Sequence, residues 1–157
     1  MSVDIMIRRL GIEDIPAIDD IEQTEMPAPW SPAMFSGEIA KATSVCLGAF
    51  DGKTARLAGY LIVSRYVDAW HVMNLVVAPD RRRLGIATQL LNELFERTAG
   101  DGQRGYTLEV RASNVGAISL YESCGFRAQG VRRGYYTDNR EDAVIMWREV
   151  PPPRQSA

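Results

Sequence analysis

The stretch "WHVMNLVVAPDRRRLGIATQLL", residues 70–91, changes its apolar period within a few residues. "WHVMNLVV" is a β-rich run ending at Ala78-Pro79. Beyond the arginines, Ile86, Leu90, Leu91, Leu94 and Phe95 fall at helical spacing, with Glu93 and Glu96 off the stripe. A strand, a small-residue turn and an amphipathic helix in succession commit the chain to an α/β arrangement. The flanking sequence extends that pattern. "IMIRRL" reads as a first strand, and Asp14 followed by Pro16 opens a helix carrying Ile15, Ile18 and Ile21. Ser31 followed by Pro32 starts a second helix. "SVCLGAF" and "RLAGYLIVSRYV" form a hairpin about "DGK". "YTLEVRA" is a strand, "NVGAISLYESCGF" a helix closed by Gly125, and "RAQGVRR" and "AVIMWREV" two closing strands. The expected order is β-α-α-β-β-β-α-β-α-β-β, a mixed three-layer α/β/α domain over residues 1–150. The tail 151–157, "PPPRQSA" from Pro151 on, is expected to be disordered.

Charge narrows the partners. The 157 residues carry a net charge of −2, so no global field draws in nucleic acid or acidic lipid, and neither is expected as a partner. Cys46, Cys124 and the single histidine, His71, have no metal-ligand spacing, so no metal is expected. Both cysteines read as small core hydrophobes, which fits a reduced, cytoplasmic compartment. "MSVDIMIRRLG" has an acid at position 4 and no long apolar region, so no signal peptide is expected. No window approaches the ~18 apolar residues of a membrane span.

The arginines Arg81, Arg82 and Arg83 pose a sharper question. Placed in the first turn of a helix, they oppose the macrodipole, which favours acids there by about 0.3–1 kcal/mol. They make sense if an anion sits among them, and a helix N-terminus offers unpaired N–H groups for one. Gly85 and Ala87 remove side chains where a ligand must approach the backbone. The string is neither a Walker sequence nor a dinucleotide fingerprint. A solvated loop with incidental arginines remains open on these residues alone.

Three longer segments speak to that question: "LEVRASNVGAISLYESCGF" (108–126), "VVAPDRRRLGIATQLL" (76–91) and "VRRGYYTDNREDAVIM" (131–146). Together they resemble the GNAT acetyltransferases, and within them the RimI-type enzymes that acetylate the N-terminal alanine of small-subunit ribosomal protein eighteen. "PAPWSPAMF" (27–35) is similar to the family's "PW" segment. The resemblance implies a GNAT-like sheet whose two central parallel strands splay apart to take acetyl-coenzyme A. It implies that backbone groups of Leu75, Val76 and Val77 bind the pantetheine arm. Arg82 stands at the arginine of the family's R/Q-x-x-G-x-G/A pattern. The amides of Arg83, Leu84, Gly85, Ile86, Ala87 and Thr88 would hold the pyrophosphate. Asn114 corresponds to a side chain that hydrogen-bonds the cofactor, although it also reads as a plain helix N-cap. Trp30, Arg133, Tyr135 and Tyr136 would wall a peptide groove, with ordinary loop packing as the alternative. Ala87 stands where glycine is usual and Leu84 where a polar residue is frequent, and "SRYVDAW" (64–70) carries no family signal. The enzyme would act as a monomer on a protein N-terminus.

Amide formation needs a deprotonated amine and a proton for the departing thiolate. Alternation in "TLEVRA" sets Glu109 on the face opposite Leu108 and Val110, where a mid-strand carboxylate suits a general base better than the strand. An α-amine, with an ordinary pKa of about 7.7–8.0, asks less of such a base than lysine at about 10.4. Burial of Glu109 would raise its basicity. Tyr121, seven residues past Asn114 and so about two turns on, reads as the acid for the thiolate, uphill by roughly 2 kcal/mol from the ordinary pKa values. Cys124 sits near a helix C-terminus, which disfavours a thiolate and a ping-pong route. Direct attack in a ternary complex is expected. His71 shares parity with Met73, Leu75 and Val77 and reads as a structural histidine. A small-amine or lysine acetyltransferase, and a nucleic-acid module built on Arg81–Arg83 with Arg132 and Arg133, are the competing readings.

Overall fold

The structure, a computed structural model, describes residues 4–150, so the expected tail 151–157 lies outside the described residues. Its strands are β1 (Ile5–Arg9), β2 (Ser44–Asp51), β3 (Leu57–Tyr66), β4 (Ala69–Val77), β5 (Gly105–Arg111), β6 (Arg127–Arg132) and β7 (Ala143–Glu149). Its helices are α1 (Ile15–Glu25), α2 (Pro32–Ala40), α3 (Ile86–Arg97) and α4 (Val115–Ser123). The expected element order holds throughout. The strands lie in one mixed seven-stranded sheet in the order β1-β2-β3-β4-β5-β7-β6. The described residues fall into two compact units, one reaching to Ser64 with Val72–Ala99, the other comprising Arg65–His71 and the residues from Gly100.

In the first unit, β1 and β3 flank β2 antiparallel, and the β2–β3 hairpin closes as "DGK" predicts. Asp51 fixes that turn, its Oδ1 accepting from the N–H groups of Lys53 and Thr54 at 2.8 and 3.1 Å. Both faces of β2 and β3 are buried. Cys46, Tyr60 and Ile62 join Ile18 of α1 and Phe35 of α2 in one apolar cluster. The fully buried cross-strand pair Leu47–Leu61 alternates to the other face. On that side α3 packs against β1 and β2 and buries Ile86, Leu90, Leu91 and Leu94. The unit is thus three layers deep, and each such side chain contributes roughly 1.5–3 kcal/mol on burial. Gly59 lets β3 close on β4, since a Cβ there would stand 2.8 Å from the Val76 carbonyl oxygen.

Two helix starts differ in kind. Ser31 caps α2, its Oγ accepting from Met34 N–H at 3.3 Å with Pro32 in the first turn, as the sequence suggests. Asp14 precedes α1 but does not cap it. Its carboxylate takes the Arg8 guanidinium at 2.9 and 3.0 Å and the Gly11 N–H at 2.8 Å, because a charged bidentate partner outcompetes a helix N–H. The third strand stops at Tyr66, one residue short of the predicted run, because Val67 turns into the left-handed region at φ 57°.

In the second unit, the start of β4 pairs in parallel with β5 at Trp70↔Tyr106 and His71↔Thr107. β5 then runs antiparallel to β7 over its whole length, and β7 pairs with β6. Leu108 and Met146 face each other across β5 and β7, both buried. Asn114 caps α4 through Oδ1, which accepts from Ala117 N–H at 3.1 Å. At its far end the N–H of Phe126 returns to the Tyr121 carbonyl, and the two rings meet edge-on at 5.7 Å.

Candidate active site

The arginine triplet is not in the first turn of α3. Arg81 closes a short 3-10 turn over Pro79–Arg81, Arg83 lies at φ 64°, and Gly85, at φ 75°, is the residue before the helix. Arg81 donates to Asp51 at 2.7 Å, and Arg82 pairs with Glu25 at the end of α1. The helix dipole therefore has no quarrel with these two charges, which carboxylates already answer. What the turn offers is backbone. The helical bonds of α3 begin with Gln89 N–H to the Gly85 carbonyl at 3.0 Å, which leaves the first-turn amides of Ile86, Ala87 and Thr88 facing outward along the axis. Gly85 supplies the left-handed bend into the helix, and a Cβ on it would meet nothing within 4 Å. Space and aligned N–H dipoles together fit a pyrophosphate. Leu84 is exposed beside them, in keeping with a backbone role.

Leu75 and Val77 are half-buried, while Val76 points into the apolar cluster. Trp30 packs its ring on Phe35 at a centroid distance of 5.1 Å. The backbone N–H of Trp30 donates to Glu22 at 2.9 Å. Glu22 is a fully buried carboxylate that also accepts from Tyr60 Oη at 2.6 Å and Asn74 Nδ2 at 3.0 Å. Nothing local in "IEQTEM" marks it, since its partners lie 8, 38 and 52 residues away. The burial and the adjacent carboxylate push the Tyr60 phenol up.

The second unit holds the groups expected from the sequence to handle protons. Glu109 Oε2 lies 2.6 Å from His71 Nε2, and its Oε1 lies 3.7 Å from Arg132 Nε. The register explains the first contact. His71 stands opposite Thr107, so Glu109 is its diagonal neighbour on the same face, within reach of long side chains. Beyond Ala69 the buried residues of β4 are Trp70, Val72, Asn74 and Val76, so His71, with Met73, Leu75 and Val77, belongs to the more open face. His71, read as structural from parity, is the partner of the carboxylate expected to act as base. The hydrogen bond from His71 holds the Glu109 carboxyl below its ordinary range, against an upward pull from burial. The expected gain in basicity through burial is thereby reversed.

Tyr121 is buried, and its phenol is pushed well up by burial and by the nearby Tyr136 and Cys124. It is thereby a weaker acid than an ordinary phenol. Tyr136 is held by the Arg111 guanidinium, 4.0 Å over its ring. Arg111 in turn pairs with Asp138 at 2.9 Å and Glu141 at 3.5 Å. Glu141 accepts from Ser113 N–H at 2.7 Å, and Asp142 from Gly134 N–H at 2.9 Å. The segment "GYYTDNRED" is thus tied to the end of β5, with Tyr135 and Tyr136 edge-on at 5.1 Å and Arg133 exposed. Cys46 is buried and its thiol pushed up to about 11 by that burial, as a core residue should be. Cys124 is half-buried instead. Among the described residues no group of three or more His, Cys, Asp or Glu side chains could hold a metal ion, and no helix is long and apolar enough to cross a membrane.

Comparison with known proteins settles the family. The acetyltransferase (GNAT) family model matches residues 15–126. The chain belongs to the GNAT acetyltransferases. Like other GNAT enzymes it is an acetyl-coenzyme A-dependent N-acetyltransferase. The chain is 38% identical over 142 residues to the ribosomal protein bS18-alanine N-acetyltransferase of Escherichia coli, covering 89% of this chain and 94% of that protein. It is 36% identical over 129 residues to the N-alpha-acetyltransferase RimI of Mycobacterium tuberculosis, covering 80% and 78%. The crystal structure of the ribosomal-protein-S18-alanine N-acetyltransferase from Escherichia coli superposes with a TM-score of 0.86 at 34% identity, covering 98% of each chain. The GNAT fold expected from the sequence is the one observed.

Proposed function

We propose that this GNAT enzyme acetylates the N-terminal α-amino group of ribosomal protein bS18, at alanine, by direct attack on acetyl-coenzyme A. The observation that carries the reading is the near full-length match to an enzyme named for that reaction, with 94% of the relative covered. The backbone of Leu75, Val76 and Val77 takes the pantetheine arm, and the amides from Arg83 to Thr88 take the pyrophosphate. Asn114 has its Oδ1 committed to the α4 cap, so its side-chain NH2 is the part that reaches the cofactor. Glu109 serves the amine and Tyr121 protonates the thiolate. Trp30, Arg133, Tyr135 and Tyr136 border the peptide. The tethering of "GYYTDNRED" through Arg111, Glu141 and Asp142 supports this, because a groove wall must hold its shape.

Mass spectrometry of products decides it. The protein is incubated with acetyl-coenzyme A and three acceptors: a peptide with the bS18 N-terminus, the same peptide blocked at its α-amine but carrying lysine, and spermidine. Acetylation of the first alone is expected. Preferred transfer to lysine or spermidine would replace the peptide-terminus reading with the lysine or small-amine one.

A further inference from the structure

Glu109 is an awkward base on its own. A carboxylate's ordinary pKa of about 4.3 lies roughly 3.5 units below that of an α-amine, whereas an imidazole's, about 6.5, lies within roughly 1.5. His71 stands against that carboxylate, its Nε2 2.6 Å from Oε2. An ionised carboxylate only accepts, so Nε2 must carry the hydrogen of this bond, and Nδ1 is the nitrogen with a lone pair. His71 lies on the more open face of β4, its side chain 32% exposed, and Glu109 is 15% exposed. The remaining charged and titratable groups about the pair come from three other elements. Arg132 on β6 is 3.7 Å from Oε1, Tyr135 lies under Arg132, and Tyr136 feels the Glu109 charge. Tyr136 is also close enough to Tyr121 to act on its phenol.

We propose that the proton acceptor for the attacking amine is the His71–Glu109 pair, with His71 as the proton carrier and Glu109 as the group that orients and charges it. The inference rests on the amine-acetylation reading above. The arrangement follows the logic by which a buried carboxylate fixes the tautomer of an imidazole and stabilises the imidazolium. The balance is simple. The amine nitrogen bonds to the acetyl carbonyl carbon, the carbon–sulfur bond breaks, and the nitrogen's surplus proton passes to the pair. Tyr121 gives its proton to the thiolate sulfur. The pair ends one proton richer and Tyr121 one poorer, and exchange with water restores both. The hydrogen bond from His71 and, more weakly, the charge of Arg132 favour the ionised form of Glu109, so the extra proton resides on the imidazole.

His71→Gln and His71→Ala separate carrying from holding. Glutamine retains an N–H that can donate to Glu109 but has no ionisation in range, and alanine has neither. Both variants are expected to lose about 100-fold in kcat/KM at pH 7, within the usual range for general base catalysis. Both should also lose the acidic limb of the wild-type pH–rate profile. Glu109→Gln and the double variant should fall no further than about tenfold below the single ones, since the two residues act as a unit. Recovery by His71→Gln to within threefold of wild type, with the acidic limb kept, overturns the proposal. His71 is the sole histidine of the chain, so one proton resonance reports the bridge without any substrate. A far-downfield imidazole N–H signal is expected in the wild type and absent from all variants, and its absence from the wild type overturns the pair. Rates are read with whichever α-amine, lysine or small amine the wild type acetylates, so a mistaken substrate fails separately in the product analysis.

Discussion

The turn before α3 and the face shared by β4 and β5 are built on opposite plans. Around Arg81–Thr88, the side chains that look functional are spoken for: Arg81 by Asp51 and Arg82 by Glu25. The groups left free to meet a ligand there are the first-turn amides of α3, beside the open space at Gly85. Where β4 pairs with β5, at Trp70↔Tyr106 and His71↔Thr107, the groups that come together are side chains: His71, Glu109 and, from β6, Arg132. A backbone site tolerates changes of side chain so long as the turn keeps its shape. A side-chain site does not.

The largest effect expected on either plan comes from Tyr121→Phe. The phenylalanine ring keeps the edge-on contact with Phe126, so the helix and its packing survive. The hydroxyl proposed to protonate the thiolate is gone. We expect turnover to fall by about 100-fold or more, with acetyl-coenzyme A affinity within twofold of wild type. Because burial pushes the Tyr121 phenol up, proton donation should stay available well into alkaline solution. A wild-type alkaline limb near the ordinary phenol value, together with unchanged turnover in Tyr121→Phe, would remove Tyr121 as the acid. Stopped assays across pH 6–10 and isothermal titration with the cofactor make the measurement.

The same contrast governs what could be read from the sequence. A backbone site is contiguous, so "RRRLGIATQLL" announces the turn, its glycine and the helix it starts. Regular alternation and caps likewise announce the element order, including the Ser31 and Asn114 caps. A side-chain site is assembled by register. His71 and Glu109 are 38 residues apart, and only the pairing His71↔Thr107 makes them diagonal neighbours. Parity alone, which groups His71 with Met73, Leu75 and Val77, does not say whether that face is the buried one. The carboxylate partners of the arginines are hidden for the same reason, Glu25 lying 57 residues from Arg82. Charge placement within one segment suggested an unmet anion. The fold had supplied carboxylates.

Gly85→Ala tests the backbone plan by changing its shape alone. The substitution adds a methyl group into open space, so no clash is expected. The cost is conformational, about 1 kcal/mol for an alanine held at φ 75°, and it falls where the first-turn amides are aimed. Cofactor affinity should weaken by roughly fivefold, the equivalent of that energy, and Tm should drop by a few degrees. The acidic limb of the pH profile belongs to the other region and should not move. A shift of that limb would mean that the two plans are less separable than their construction suggests.

Smallest of all should be the effect of the arginine side chain that first drew attention to this turn. If Arg82 is committed to Glu25, then Arg82→Gln removes a charge already balanced by an acid, and acetyl-coenzyme A should bind within about threefold of wild type at 0.15 M salt. Glu25→Gln should move affinity the other way by a similar factor, because it frees the guanidinium. Arg81 gives the companion case through pH. The turn amide of Lys53, then Arg81 itself, hold Asp51 at about 2. A carboxyl depressed in the folded state contributes stability that is fully present above its unfolded value, about 3.8, and is lost as the pH falls through about 2. The Arg81–Asp51 pair is therefore intact throughout the working range, and the affinity for acetyl-coenzyme A should show no step between pH 5 and 8 from this source. A tenfold loss in Arg82→Gln, or a salt dependence that vanishes in that variant, would show instead that Arg82 leaves Glu25 for the phosphates and that side-chain charge, as well as backbone, makes this dock.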